Sequence, residues 1–263
     1  LRRRQTVRGR RAVSIGASRR KAARFQFATV GRHRLRVLYH ETRRGRRADD
    51  DPHDRATYCD AAPVDRCENV RRDIVLSLEN MGFQPISSHH EKGPGQNEID
   101  FSQADPLTAA KNLLLFRSAV KNVCNRDGLY ATFMPKPFYE EAGSGLHVNL
   151  MLKRPGAAVL DRSFGLKNGE AEMFLEGVLS RVRDIMPFAC ATTNSYKRLG
   201  TCEAPQFVTW SAGNYGQLVK YFTGADGHGF KLRFADCLSN PFILTALLIH
   251  AGLDGIEEKR ALR

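Results

Sequence analysis

The chain has 263 residues, 42% hydrophobic and 26% charged, a composition of soluble globular proteins with one large or two modest domains. Its net charge of +13 is unevenly spread: residues 1–47 carry 17 Lys+Arg against the single acid Glu41, leaving 24 Lys+Arg against 27 acids in the rest. No apolar run reaches the ~18 residues a membrane-spanning helix needs, and no apolar stretch follows the basic N-terminus, which argues against a secretory leader.

Residues 1–52 are expected to lie apart from the fold. RRRQTVRGRR, ASRRKAAR and RRGRR show neither helical nor strand periodicity and no aromatic interleaving. Such text can bind nucleic acid through phosphates or be a solvated, disordered tail. It can also be read out of frame, since GC-rich coding DNA then yields Arg-rich, pattern-free sequence. The third reading is preferred, and a nucleic-acid partner is not expected.

From Tyr58 the text changes. Ile74, Val75, Leu78 and Met81 recur at helical spacing, predicting a helix over Glu68–Met81 that Gly82 closes. Strands are predicted over Gln96–Ser102 and Tyr130–Met134. Asp105-Pro106 caps a helix running to about Asn125. A strand over Gly145–Leu152 follows, then an amphipathic helix over Glu170–Met186 stopped by Pro187. Phe207–Trp210 reads as a strand, and Asn240-Pro241 opens a last helix through Ala251. With no repeats or low-complexity linker, residues 53–263 form one α/β domain. The six cysteines (59, 67, 124, 190, 202 and 237) make no CxxC pair, which predicts free cytosolic thiols and a cytoplasmic protein.

Two stretches carry the chemistry. In HHEKGPGQNEID (89–100), Glu91 and Glu98 flank a Gly-Pro-Gly turn that can bring both carboxylates to one point. Buried charges need partners, so a shared divalent cation suits them; the alternative is an exposed hairpin with solvated acids. His89 and His90 lack zinc spacing and suit packing or ligand orientation. In FMPKPFYEEAGSGLHVNL (133–150), Lys136 between two prolines fixes extended backbone, and Gly143-Ser144-Gly145 permits close approach to a ligand. His147 follows on a strand. A plain turn and a core histidine are the bland alternatives.

Together with NSYKRL and EAP, these stretches resemble the catalytic domain of bacterial type I glutamine synthetase, from about His53 to Ile256. The resemblance implies an α+β fold of the glutamine synthetase/guanido kinase-like kind, a curved antiparallel sheet packed with helices. It implies a glutamate–ammonia ligase that uses ATP and Mg2+ or Mn2+ to make glutamine through γ-glutamyl phosphate. Glu91 and Glu98 would ligate one metal and His147 the other. Gly143 would contact glutamate through its backbone, and Arg198 and Arg233 would grip a carboxylate or the moving phosphate. Glu203 would shield the acyl phosphate and take a proton from ammonium. Glutamate, ammonium and ATP are then the partners, and the family forms ring homo-oligomers.

The chain departs from that pattern. The smaller N-terminal domain that completes a neighbour's site in the ring is missing, and RLRVLYHETRR lacks the Glu-x-Glu metal ligands expected there. Lys231 stands where a ligand glutamate belongs, Tyr215 and Lys220 where arginines belong, Ile86 where an acid belongs, and LGTCEAP is one residue short. An impaired enzyme is therefore expected. The alternatives are an inactive remnant or a binding module that uses the basic arm.

Overall fold

The computed structural model describes residues 26–39, 51–153, 169–214, 216–224 and 227–263. In chain order the elements are β1 (Gln26–Tyr39), α1 (Glu68–Asn80), β2 (Pro85–His90), β3 (Gln96–Phe101), α2 (Pro106–Arg126), β4 (Leu129–Thr132) and β5 (Leu146–Lys153). They continue with α3 (Glu170–Ala189), α4 (Thr193–Tyr196), β6 (Trp210–Ser211), β7 (Val219–Gly224), β8 (Gly227–Leu232) and α5 (Pro241–Glu257).

Local chemistry sets the helix starts. The Asp105 side chain accepts from the Leu107 and Thr108 amides, and Asn240 from Phe242 and Ile243. Each is followed by proline at a position whose N–H has no helical partner to lose. Gly82, with φ at 85°, and Gly128, at 74°, turn the chain out of α1 and α2 in the left-handed region that favours glycine.

The eight strands form one sheet in the order β2-β3-β1-β5-β8-β7-β6, with β4 also on β1. Every pairing is antiparallel except β6 with β7. Alternation gives the sheet two different faces. Ile99, Phe101, Val148, Leu150, Phe230 and Leu232 turn toward the helices and belong to one core. Phe83, Phe101, Phe116 and Phe133 continue it as edge-to-face rings with centroids 5.0–6.0 Å apart. Each fully buried ring contributes roughly 1.5–3 kcal/mol, so stability resides on this side. The intervening residues Glu98, His147, Asn149, Lys231 and Arg233 share the opposite face.

Several expectations need correction. β1 lies inside the segment placed outside the fold, yet it pairs with β3, β4 and β5; Arg-dense text on both sides hides the alternation of Leu35, Val37 and Tyr39. The remainder of 1–50 lies outside the described residues. Pro187 does not stop α3, because in the last turn it forfeits a single backbone bond and the Cys190 amide still reaches the Met186 carbonyl. The strand expected over Phe207–Trp210 is reduced to Trp210–Ser211. α5 passes Ala251 because Gly252 and Gly255 serve packing, not termination. A Cβ on Gly252 would lie 2.1 Å from the Phe174 ring, and one on Gly255 2.1 Å from the Met173 carbonyl.

Candidate active site

The Gly-Pro-Gly turn brings its acids together. β2 and β3 pair with His89 opposite Glu98, and the Glu91 amide donates to the Gln96 carbonyl at 2.7 Å. Donor atoms of His89, Glu91 and Glu98 lie within 4.8 Å of one another. Glu91 is 1% exposed and Glu98 2%. Two carboxylates this close and this buried repel one another strongly, and a shared cation relieves the repulsion. Oxygen donors with one imidazole fit a hard divalent ion such as Mg2+ or Mn2+. The Glu91 carboxylate, 3.7 Å from His89 Nε2, raises that histidine above its ordinary value. His89 thus joins the donor group, a role the sequence did not assign to it, although the hairpin register could have shown it.

His90 points the other way and anchors a brace. Its Nε2 meets Asp54 Oδ1 at 2.9 Å, and Asp54 also accepts from the Arg66 and Gly95 amides. Burial favours the neutral carboxyl, but these bonds overcome it and hold Asp54 down to about 2. Burial likewise opposes charge on His90, and Asp54 outweighs it and raises the histidine. Burial, with Arg66, pushes His53 down to about 4. Asp65 takes Arg71 in a buried bidentate pair, and Arg71 also donates to Asn97. Asp54, Asp65 and Cys67 come within 4.8 Å as well. Their acids are held by these hydrogen bonds and burial pushes the Cys67 thiol well up, so this group is a brace for the turn.

Gln96 joins the two stretches singled out in the sequence. Its Oε1 accepts from the Gly93 amide and its Nε2 donates to the Gly143 carbonyl at 3.0 Å. The Gly143–Gly145 segment needs its glycines because Arg198 runs across it. A Cβ on Gly143 would lie 2.6 Å from both Arg198 Cγ and the Pro135 carbonyl, and one on Gly145 3.0 Å from Arg198 Nη1. Arg198 Nη2 donates to the Phe234 and Ala235 carbonyls, so part of this arginine braces the wall it lines. Buried Lys136 ties the same loop to Glu141 and Thr201 through Nζ, while its backbone exchanges two hydrogen bonds with Asn194.

One pocket collects the remaining residues. Gly143, His147, Arg198, Glu203 and Arg233 line it together with Lys92, the neighbour of Glu91. Arg233 Nε lies 3.5 Å from His147 Nε2, and its Nη2 lies 4.0 Å from Glu203. His147 stands on this wall, outside the His89–Glu91–Glu98 group. The site residues expected from the sequence therefore fall into two adjoining sets, two carboxylates on the hairpin and the other five around the pocket.

Beyond Arg233 the face is cationic. Lys231 is opposite Asn149 on β5 and opposite Lys220 on β7. Like charges at directly paired positions disfavour a further cation there. The region lacking a Glu-x-Glu pair is β1, whose backbone register sets Arg34 beside Glu98 and Arg32 beside His147. Tyr215 lies outside the described residues. All six cysteines are free, as expected.

The family model for the glutamine synthetase catalytic domain matches residues 15–263. A glutamine synthetase of Clostridium saccharobutylicum is 43% identical over 224 residues, 82% of this chain and 50% of that protein. One from Methanosarcina mazei is 41% identical over 210 residues, 78% of this chain and 47% of that protein. A cryo-EM structure of Plasmodium falciparum glutamine synthetase superposes with a TM-score of 0.77 at 24% identity, covering 89% of this chain and 52% of its own, which shows the shared fold. A structure titled as a GmaS/ADP complex gives 0.79 at 27% identity, covering 94% and 58%. The chain spans about half the length of the relatives it matches.

Proposed function

Since this chain belongs to the glutamine synthetase catalytic-domain family, we propose that it joins ammonia to the side-chain carboxylate of glutamate, driven by ATP. The observation that carries the reading is the single pocket holding Gly143, His147, Arg198, Glu203 and Arg233, with Glu91 and Glu98 buried beside its Lys92 wall. Glu91 and Glu98 would hold a divalent ion, Mg2+ or Mn2+, which would supply positive charge for the phosphate oxygens.

The protein's own groups do the rest. Arg233 and the outward edge of Arg198 orient the anionic substrate by charge-assisted hydrogen bonds. Gly143 lines the pocket, where its backbone would meet glutamate. An oxygen of the glutamate side-chain carboxylate takes the γ-phosphoryl group and ADP leaves. Glu203, at the pocket mouth, accepts a proton from ammonium; the freed ammonia attacks the acyl carbon and phosphate departs. We place the reaction in the cytoplasm; no helix among the described residues is long and apolar enough to cross a membrane.

Slow turnover is part of the proposal. Lys220 and Lys231 stand where an ordinary member has groups that hold metal and phosphate, and each lost electrostatic contact is expected to lower the rate by about 100-fold or more. The test is phosphate release by purified protein given glutamate, ammonium, ATP and Mg2+ or Mn2+. Release that requires both glutamate and ammonium, at a rate well below a full-length relative, is expected. Glutamate-independent release defeats the assignment, and an ordinary rate defeats the impairment.

A further inference from the structure

Lys92 and Glu203 are 111 residues apart in sequence, yet the Lys92 ammonium donates directly to Glu203 Oε1. The contact spans the pocket mouth. Lys92 comes from the β2–β3 turn beside Glu91, Glu203 from the loop that follows α4, and both line the pocket. The other Glu203 oxygen faces Arg233 Nη2 at 4.0 Å. One carboxylate thus sits between cations from two walls.

The loop is shaped to deliver it. Thr201 hydrogen-bonds the Arg198 carbonyl through Oγ1 and receives Lys136 Nζ, which pins the loop at its base. Gly200 (φ 74°) and Cys202 (φ 52°) then take left-handed backbone on either side of it. For cysteine that conformation is a strained one, held so that the next residue faces the pocket. The Lys92 and Glu203 side chains are 48% and 45% exposed. A pair that wet adds little to stability, so its consequence is where the carboxylate sits.

We propose that Lys92 is a positioning residue: it keeps Glu203 over the pocket once Arg233 is taken by an anionic substrate group. Arg233 is 5% exposed and lies against His147, deep in the wall. An incoming carboxylate or phosphate claims that guanidinium and repels Glu203. Arg198 is partly committed to two backbone carbonyls. Lys92, whose ammonium bonds Glu203 directly from the other wall, holds it against this repulsion. The inference rests on the amide-forming reading, in which Glu203 must meet ammonium.

The test compares wild type, Lys92→Met and Lys92→Arg as full chains, by hydrogen exchange over residues 200–206 with and without glutamate and by glutamine formation. Lys92→Met is expected to melt at the wild-type temperature and to exchange several-fold faster over 200–206 when glutamate is bound. Its kcat/KM for ammonium should fall about tenfold while KM for glutamate stays within about twofold, and Lys92→Arg should recover most of the loss. Equal exchange in Lys92→Met and wild type overturns the proposal, as does an unchanged ammonium dependence. A wild type that makes no glutamine sinks the amide-forming reading alone; the exchange comparison still decides whether Lys92 holds the loop.

Discussion

At the β2–β3 end of the site face, two carboxylates are 1% and 2% exposed. Beneath them lies a layer of hydrogen bonds through Asp54, His90, Asp65, Arg71 and Gln96. At the β7–β8 end, Lys220 and Lys231 face each other across paired strands. Burial of two like charges side by side is costly, so the first end favours a cation. The second end repels one and attracts anions. We read this face, among the described residues, as one metal position beside an anion-binding wall, with Arg233 and His147 at the junction.

The comparison breaks most readily at the brace. Asp54→Asn leaves His90 buried without its carboxylate and should cost about 3–5 kcal/mol near pH 5 to 6. A carboxyl lowered on folding gives stability above its unfolded value and loses it as pH falls through its folded one. The wild-type advantage should then shrink by about 2 kcal/mol between about pH 4 and about pH 2. A histidine raised on folding loses its contribution as pH rises past its folded value, so the advantage should also decline above 6.5. Urea unfolding of both proteins across pH measures both limbs.

Gly143→Ala attacks the junction instead. Its Cβ would lie 2.6 Å from Arg198 Cγ and from the Pro135 carbonyl. The expected cost is about 1–3 kcal/mol with a raised KM for glutamate, read by thermal melting and initial rates. The smallest effect is a gain. Lys231→Glu changes the local charge by two and should add a weak second Mn2+ binding step that the wild type lacks, measured calorimetrically.

The carboxylate end was legible because its signals are local. A Gly-Pro-Gly turn between two acids fixes a hairpin, and Asp105-Pro106 and Asn240-Pro241 mark helix starts. The brace was not legible: Asp54 meets Gly95 41 residues away and Gln96 meets Gly143 47 residues away, with no periodic signal linking them. The Lys92–Glu203 contact is longer still. β1 was missed because arginine density masked a short alternation, and Pro187 was over-read because a proline's cost depends on its distance from the helix end. Packing of α3 on α5 likewise turns Gly252 and Gly255, which lie beyond the expected helix end at Ala251, into contact points.

We propose that the face carries one divalent-ion position, made by Glu91 and Glu98. Titration of Mn2+ into the full chain, following free Mn2+ by electron paramagnetic resonance, tests it directly. One ion per chain is expected, its affinity lowered about 100-fold or more in Glu98→Gln. Two ions of similar affinity in the wild type, or unchanged binding in Glu98→Gln, would contradict it.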